Sequence, residues 1–397
     1  MAHHTETPRS PEEHARAVSS CFAAPETVHI PAHEALGRRL AASVQAATDS
    51  PTFDNSQMDG YALAEEHLAG GRFEVGETVA AGVDPKNTYP HGLKRQVAPV
   101  MTGAMVPAGT VAVVPVERCE PADFAETGAT VEVPAMPRGQ FVRLRSSDIV
   151  AGSELYPAGH VVNARTVGAA TLQGIATLPV RAKARVLLCT GGDEIGGSGV
   201  ASIPDTNYPL LVALCQRFHI EVAGHVRTSD DPAEFERKLR AAIAEHQPTA
   251  VVTSGGISHG KFEVVRQVLD GDTGWFGHVA QQPGGPQGLS SFAGVPVISL
   301  PGNPVSTAVS FRLFVAPALG ESLEPIVVVA GENMNSLEGK DRFAHARQVV
   351  RDGQVIAEPV GGASSHLLAQ SVEADLLVRI PEGQNVRAGD KVTAYPL

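Results

Sequence analysis

Ala250-Val-Val-Thr-Ser-Gly-Gly-Ile-Ser258 is an apolar run closed by a glycine pair. Ala250–Ser254 is short enough to be one buried strand. Gly255-Gly256 then allows a sharp turn and close backbone approach to a ligand. The pattern recurs on both sides. Val186-Leu-Leu-Cys-Thr190 runs into Gly191-Gly192, and Val295-Pro-Val-Ile-Ser-Leu300 runs into Pro301-Gly302. Helical spacing follows at varying distance. After the first run, Asp205-Thr206-Asn207 offers an N-cap, and Leu210, Leu211, Leu214 and Phe218 share one face. Strand, turn and helix in alternation predict a mostly parallel α/β sheet. Ligands bind such sheets at the carboxyl ends of the strands, so all three glycine turns are expected at that edge.

Working outward, 397 residues exceed what one hydrophobic core usually serves, so several domains are expected. Residues 1–10 are polar and expected to fray. Pro8 to Phe22 reads as a helix, with Pro11 near its start, Glu12 and Glu13 in the first turn, and Ala15, Val18 and Phe22 at helical spacing. Pro31 to Ala47 reads as a second helix with its surroundings. Between Phe73 and Val133, short Val-rich runs such as Val111–Val116 and Thr130–Val133 alternate with Gly and Pro, which predicts a β-rich module. Arg165 to Ile175 is compatible with a helix. Beyond residue 323 the pattern is β again. Arg347–Arg351, Asp352-Gly353 and Gln354–Glu358 form a hairpin signal, because Asp-Gly suits the two-residue turn that matches strand twist.

The net charge of -12, from 31 basic and 43 acidic residues, argues against nonspecific nucleic-acid binding and against an electrostatic membrane patch. An anionic ligand would need local N–H groups, a cation or both to overcome that field. Cys21, Cys119, Cys189 and Cys215 are far apart and form no Cys-x-x-Cys, so they are expected to be buried thiols in a reducing compartment. The fifteen histidines show no metal-ligand spacing; His259 is set apart only by its place in a glycine turn. No apolar run resembles a signal peptide or reaches about 20 residues, so a cytoplasmic chain without direct membrane insertion is expected.

Polar motifs cluster at turns. Pro51-Thr-Phe-Asp-Asn-Ser-Gln-Met-Asp-Gly-Tyr-Ala62 carries two carboxylates, an amide and a hydroxyl before Gly60, read as a hinge. Taken alone it is a turn whose Asp54, Asn55 and Ser56 hydrogen-bond their own backbone. Leu300-Pro-Gly-Asn-Pro-Val-Ser306 opens a helix running through Phe314 towards Pro317. Pro304 suits the first turn, and Ser306 brings a hydroxyl to unpaired backbone N–H groups. It is equally an anion cradle or a plain strand-to-helix turn. Asp193 and Glu194 in the Thr190-Gly-Gly-Asp-Glu run read alone as a solvated loop, and Asp148 as a turn residue or cap.

Together these segments resemble the MoeA-type molybdenum cofactor enzymes, a family that includes the gephyrin E domain. The residues carrying the resemblance are Pro51–Ala62, Met101-Thr-Gly-Ala104, Arg143…Asp148, Thr190–Glu194, Thr253–Ser258 and Leu300–Ser306. The resemblance spans essentially the whole chain. It implies an α/β multidomain, elongated subunit: a MogA-like three-layer α/β domain, a β-rich inserted domain, an extended helical linker domain and a C-terminal β domain. The matching bounds are 7–48 plus 141–181 for the linker and dimerisation domain, 49–140 for the inserted domain, 182–322 for the MogA-like domain and 323–397 for the last.

The family reaction inserts molybdate into adenylylated molybdopterin and releases AMP, assisted by Mg²⁺ or another divalent cation, in a homodimer. Carried over, Asp59, Asp148, Glu194 and Glu263 are the implied catalytic carboxylates, with Asp59, Glu194 and Glu263 on the metal. Thr102, Asp193, Ser254, Gly255, Gly256, Ser258, Pro301, Gly302, Asn303, Pro304 and Ser306 are the implied cofactor-binding residues. The chain also departs from the family. Where Lys-Pro-Gly-Lys-Pro is usual, it reads Gln282-Pro-Gly-Gly285-Pro286. Two cations are missing, each worth about 1.5–3 kcal/mol as a charge-assisted contact. Lys261 and Glu263 stand where an acidic pair is usual, Val111 replaces an Asp, and Ser146 replaces a Gly. The extra glycine after Thr190 would displace Asp193 and Glu194. The alternative is therefore a gephyrin-like dimeric scaffold that grips a peptide of a cytoskeletal or membrane-receptor protein. A nucleotide- or pterin-binding regulator without catalysis is a third reading.

Overall fold

The computed structural model describes residues 7–191, 204–257, 264–271, 274–362 and 367–397. The chain divides into two compact units, Thr27–Val180 and a second that joins the segment up to Glu26 to Arg181–Leu397.

The second unit is built on a six-stranded sheet in the order Glu221–Arg227, Arg185–Thr190, Ala250–Ser254, Val295–Leu300, Pro286–Phe292, Trp275–His278. The first four strands are parallel; Pro286–Phe292 joins them antiparallel, and Trp275–His278 pairs antiparallel with Pro286–Phe292. The three apolar runs read as strands lie side by side. They are mainly apolar because both faces are covered. Val186 and Leu188 face one core, with Leu211, Cys215 and Phe311. Leu187 and Cys189 face the other, with Phe235, Leu239 and Val265. Alternation along one strand thus feeds two helical layers. Each fully buried Leu or Val side chain contributes about 1.5–3 kcal/mol.

The helix Pro304–Ser310 passes into a π-helical turn, Phe311–Val315, and resumes at Ala316–Leu319. The π turn buries Arg312, whose Nε donates to the Pro396 carbonyl (2.7 Å) and whose Nη2 donates to the Leu323 carbonyl (2.8 Å). This guanidinium ties the chain end to the α/β layer. The C-terminal sheet has the order Gln281–Gln282, Asp341–Arg351, Gln354–Pro359, Ile326–Ala330, Lys391–Pro396, Leu376–Ile380. The last strand returns to pair with Asp341–Arg351, so five strands close on themselves. The hairpin forms as read: Arg351 faces Gln354, and Asp352 (φ 50°) and Gly353 (φ 74°) take the left-handed pair that such turns need.

The Thr27–Val180 unit holds the three-stranded sheet Ala98–Val100, Gly60–Leu63, Ala112–Pro115 and the pair Gly71–Glu74 with Thr130–Val133. Its helix Ala164–Leu172 starts at Asn163, whose side chain accepts from Arg165 N and Thr166 N.

Three local expectations are corrected. Pro31–Ala47 is not a helix. Only Ala32–Ala35 make a 3₁₀ turn, Gly37 turns left-handed (φ 77°), and Arg39 and Leu40 are extended, bridging to Val161 and Val180. The helix near the start is Pro11–Ser19, shorter than Pro8–Phe22. Ser10 and Glu13 form a capping box at its start, and at its end the Ser20 hydroxyl takes the Ala17 carbonyl. Cys21 is exposed rather than buried; the other three thiols are buried, and burial raises Cys215 to about 12. No helix among the described residues is long and apolar enough to cross a membrane.

Candidate active site

The carboxyl ends of the three parallel strands lie side by side, with the first turn described as far as Gly191 and the second as far as Ile257. At the first, the Thr190 hydroxyl lies 2.8 Å from Asp205 Oδ2 and 2.9 Å from His225 Nε2. A carboxylate only accepts, so the hydroxyl donates to Asp205, and His225 Nε2–H must donate to Thr190. Tyr208 stacks on the imidazole at 3.9 Å. Burial lowers the pKa of His225, opposed in part by Asp205. Asp205 Oδ1 accepts from Tyr208 N (3.1 Å) and so fixes the start of the helix Asn207–Arg217. The first residue of that helix reaches the third turn: Asn207 Nδ2 donates to the Gly302 carbonyl at 2.7 Å.

The second and third turns are in contact. A Cβ on Gly302 would lie 3.1 Å from Gly255 Cα, and one on Gly256 (φ 68°) would lie 2.7 Å from the Val265 side chain. Gly256 therefore requires glycine, and Gly302 packs tightly against the Gly255 backbone. The Ser254 and Thr307 hydroxyls are 3.0 Å apart, and both reach the Pro301 carbonyl, at 3.1 and 2.7 Å. Asn303 Oδ1 caps Val305 N at 3.1 Å. The cap is thus Asn303; Ser306, expected to serve the free N–H groups, is buried one turn on. Ser254, Gly255, Gly256, Pro301, Gly302, Asn303, Pro304 and Ser306 are gathered in this one region. Asp193, Glu194, Ser258, His259 and Glu263 lie outside the described residues.

In the Thr27–Val180 unit, Asp59 and Thr102 are joined. Asp59 Oδ1 accepts from both the Thr102 hydroxyl (2.7 Å) and the Thr102 N–H (2.6 Å), which hold its carboxyl below the usual range. Both donors use the same oxygen and leave Oδ2 to another partner. Gly60 is not a hinge. It begins a strand, and a Cβ there would lie 2.0 Å from the Val114 carbonyl oxygen. Ser56 brings the Thr102 turn alongside, through Ser56 N to Ala104 O and Gly103 N to Ser56 O. The other end of the segment is held by Arg145 N donating to Asp54 Oδ1 (2.7 Å) and by Ser146 N donating to the Pro51 carbonyl. Ser146 has φ 60°, the left-handed region, where the family pattern carries Gly. Asp148 is exposed and accepts from the Ser50 hydroxyl at 3.3 Å. Among the described residues no group of three or more His, Cys, Asp or Glu could hold a metal ion. Of the three implied ligands, Asp59 alone is described, with one carboxylate oxygen to offer. That suits Mg²⁺, which often takes one or two carboxylates and completes its shell with phosphate oxygens and water.

Three family models cover the chain: "MoeA N-terminal region (domain I and II)" matches residues 9–174, "Probable molybdopterin binding domain" 187–321, and "MoeA C-terminal region (domain IV)" 327–397. The protein called molybdopterin molybdenumtransferase 2 from Mycobacterium tuberculosis is 33% identical over 98% of this chain and 100% of its own length. The chain belongs to the MoeA family. A molybdopterin molybdenumtransferase of Synechococcus elongatus is 31% identical over 90% of this chain and 91% of its own. The crystal structure of a molybdopterin biosynthesis MoeA protein from Pyrococcus horikosii is 25% identical, with a TM-score of 0.76 over 98% of this chain and 99% of that one.

Beside the sheet edge of this MoeA-family chain, the Gln282-Pro-Gly-Gly-Pro286 segment lines two cavities. One, of about 290 Å³, lies among Gln282, Val305, Glu332, Arg342 and His345. The other, of about 930 Å³, is bounded by residues 278–286, Ser306 and residues 338–340. Arg342 Nη1 donates to the Asn335 carbonyl at 3.0 Å, and burial lowers the pKa of His345. Sequence reading missed His225, Tyr208, Thr307 and the reach of Asn207. Asp205-Thr-Asn207 was legible as a cap. Nothing local marks His225 as the partner of Thr190.

Proposed function

We propose that the chain is a molybdopterin molybdenumtransferase of molybdenum cofactor biosynthesis, taking adenylylated molybdopterin and molybdate and releasing AMP with the molybdenum cofactor. One observation carries this reading. Hydrogen bonds from Thr190 to Asp205, from Asn207 to the Gly302 carbonyl and from Ser254 to the Pro301 carbonyl gather the carboxyl ends of three parallel strands at one edge, where α/β sheets take their ligands. That edge falls in the region matched as a molybdopterin binding domain. Relatives over nearly the whole chain are named molybdopterin molybdenumtransferases.

The roles follow from chemistry. Gly255, Gly256, Pro301, Gly302 and Asn303 give a ligand close access to backbone, with Ser254 shaping the turn and Ser306 beside it. Asp59 is the described residue that would offer an oxygen to Mg²⁺, with Glu194 and Glu263 as the further ligands the family pattern implies; such an ion, when bound, would supply charge to offset an opening phosphoanhydride. Thr102 keeps Asp59 ionised and aimed. Asp148, Asp193 and Ser258 complete the proposed set. The four-part domain division, a homodimer and a cytoplasmic location belong to this reading. No observation among the described residues favours the peptide-binding scaffold.

The test is AMP release from adenylylated molybdopterin with and without molybdate. Molybdate-dependent release by the wild type supports the reading. Absence of turnover at every divalent cation concentration rejects it.

A further inference from the structure

The Gln282–Pro286 segment poses a charge problem. Its wall of the 930 Å³ cavity is amide, glycine and proline, on a chain of net charge -12. The proposed ligands are oxyanions, and such groups need a local donor with positive charge. The cavity supplies one from another strand. Lys340 lines it from the turn that precedes the strand Asp341–Arg351.

The backbone at Lys340 is fixed beside the segment it faces. Asp341 N donates to the Ala280 carbonyl at 2.9 Å, and Gln281 and Gln282 pair in register with Asp341 and Arg342. Gly339 N donates to Glu382 Oε1 (2.8 Å), while Asp341 accepts from Glu382 N (2.9 Å) and from Arg379 Nε (2.6 Å). The turn is thus pinned on both sides of the lysine. The ammonium itself is uncommitted: among the described residues Lys340 forms no ion pair. Glu338 lines the same cavity and opposes it.

We propose that Lys340 is the cation that receives an oxyanion of the substrate at the Gln282–Pro286 loop, replacing charge that the loop itself lacks. This rests on the transferase reading for the identity of the ligand, and on cavity geometry for the site. The ammonium acts as a point charge with three donors, which suits a tetrahedral molybdate or a phosphate. Two sources share that chemistry, free molybdate and the nucleotide phosphate.

The test is calorimetry on the full chain at low ionic strength, with molybdate and with AMP as separate probes. Lys340→Ala is expected to weaken one of them about tenfold or more. Lys340→Arg should retain binding, and Glu338→Gln should tighten it. Gln282→Lys in the Lys340→Ala background should restore it, which a merely structural lysine would not allow. Weakening of molybdate alone places the metal oxyanion at Lys340; weakening of AMP alone places the nucleotide phosphate there. Unchanged binding of both probes by Lys340→Ala, with an unchanged thermal midpoint, overturns the assignment, as does a wild type that binds neither. Turnover separates this from the broader reading. Wild-type AMP release with an unaltered KM in Lys340→Ala would remove Lys340 and leave the transferase standing.

Discussion

The sheet edge and the Asp59 turn use the same kinds of residue in opposite ways. At the sheet edge, Thr190, Ser254 and Thr307 are at most 3% exposed; the Thr190 hydroxyl binds Asp205 and His225, and those of Ser254 and Thr307 bind each other and the Pro301 carbonyl. At the other site, Asp59, Thr102 and Asp148 are exposed, and Asp59 keeps one oxygen clear of Thr102. Buried polar groups are costly to orphan, at about 1–3 kcal/mol each, whereas exposed substitutions usually stay within about 0.5 kcal/mol. The first region therefore spends its polar chemistry on shape. The second leaves its polar groups exposed to solvent, as the proposed cation site would need. Substitutions should separate stability from activity along that line.

The sharpest separation is Asp59→Ala. AMP release is expected to fall by about 100-fold or more through loss of the proposed cation ligand, with no change in thermal midpoint. Thr307→Val inverts this. It removes the hydroxyl that joins Ser254 to Pro301, so denaturant unfolding should show a loss of about 1–3 kcal/mol. Equal stability for the variant would break the comparison. Asn207→Ala cuts the tie to the Gly302 carbonyl. It should raise KM more than it lowers kcat, by about tenfold, because it loosens a binding turn and touches no reacting group.

Thr102→Ala gives the smallest effect and a pH signature. The Thr102 hydroxyl and N–H depress the Asp59 pKa. A depressed carboxylate keeps its charge, and the interactions that need it, above its unfolded pKa; both are lost as pH falls through the folded value. Removing the hydroxyl moves that loss to higher pH. The acid limb of the activity profile should shift upward, and an unshifted limb would mean that Asp59 does not set it.

Legibility from sequence followed the range of the interactions. The strands Arg185–Thr190, Ala250–Ser254 and Val295–Leu300 were readable because burial on both faces leaves a continuous apolar run with glycine or proline at its end. The hairpin at Asp352-Gly353 was readable because two residues dictate it. Pro31–Ala47 was misread because its conformation is set by Val161 and Val180, far along the chain. The site was legible as residue types at turns. Its wiring was not, since Thr190 meets His225, and Asn207 meets Gly302, only after the sheet has formed. Ser146 shows the limit from the other side: its left-handed backbone follows the family's glycine pattern, but the residue itself gives no hint of it.

The most direct measurement is AMP release from adenylylated molybdopterin by Asp59→Ala beside the wild type, with thermal midpoints taken on the same samples. The account predicts molybdate-dependent release by the wild type and near-complete loss in the variant, at one common midpoint. Wild-type release from the variant would contradict it.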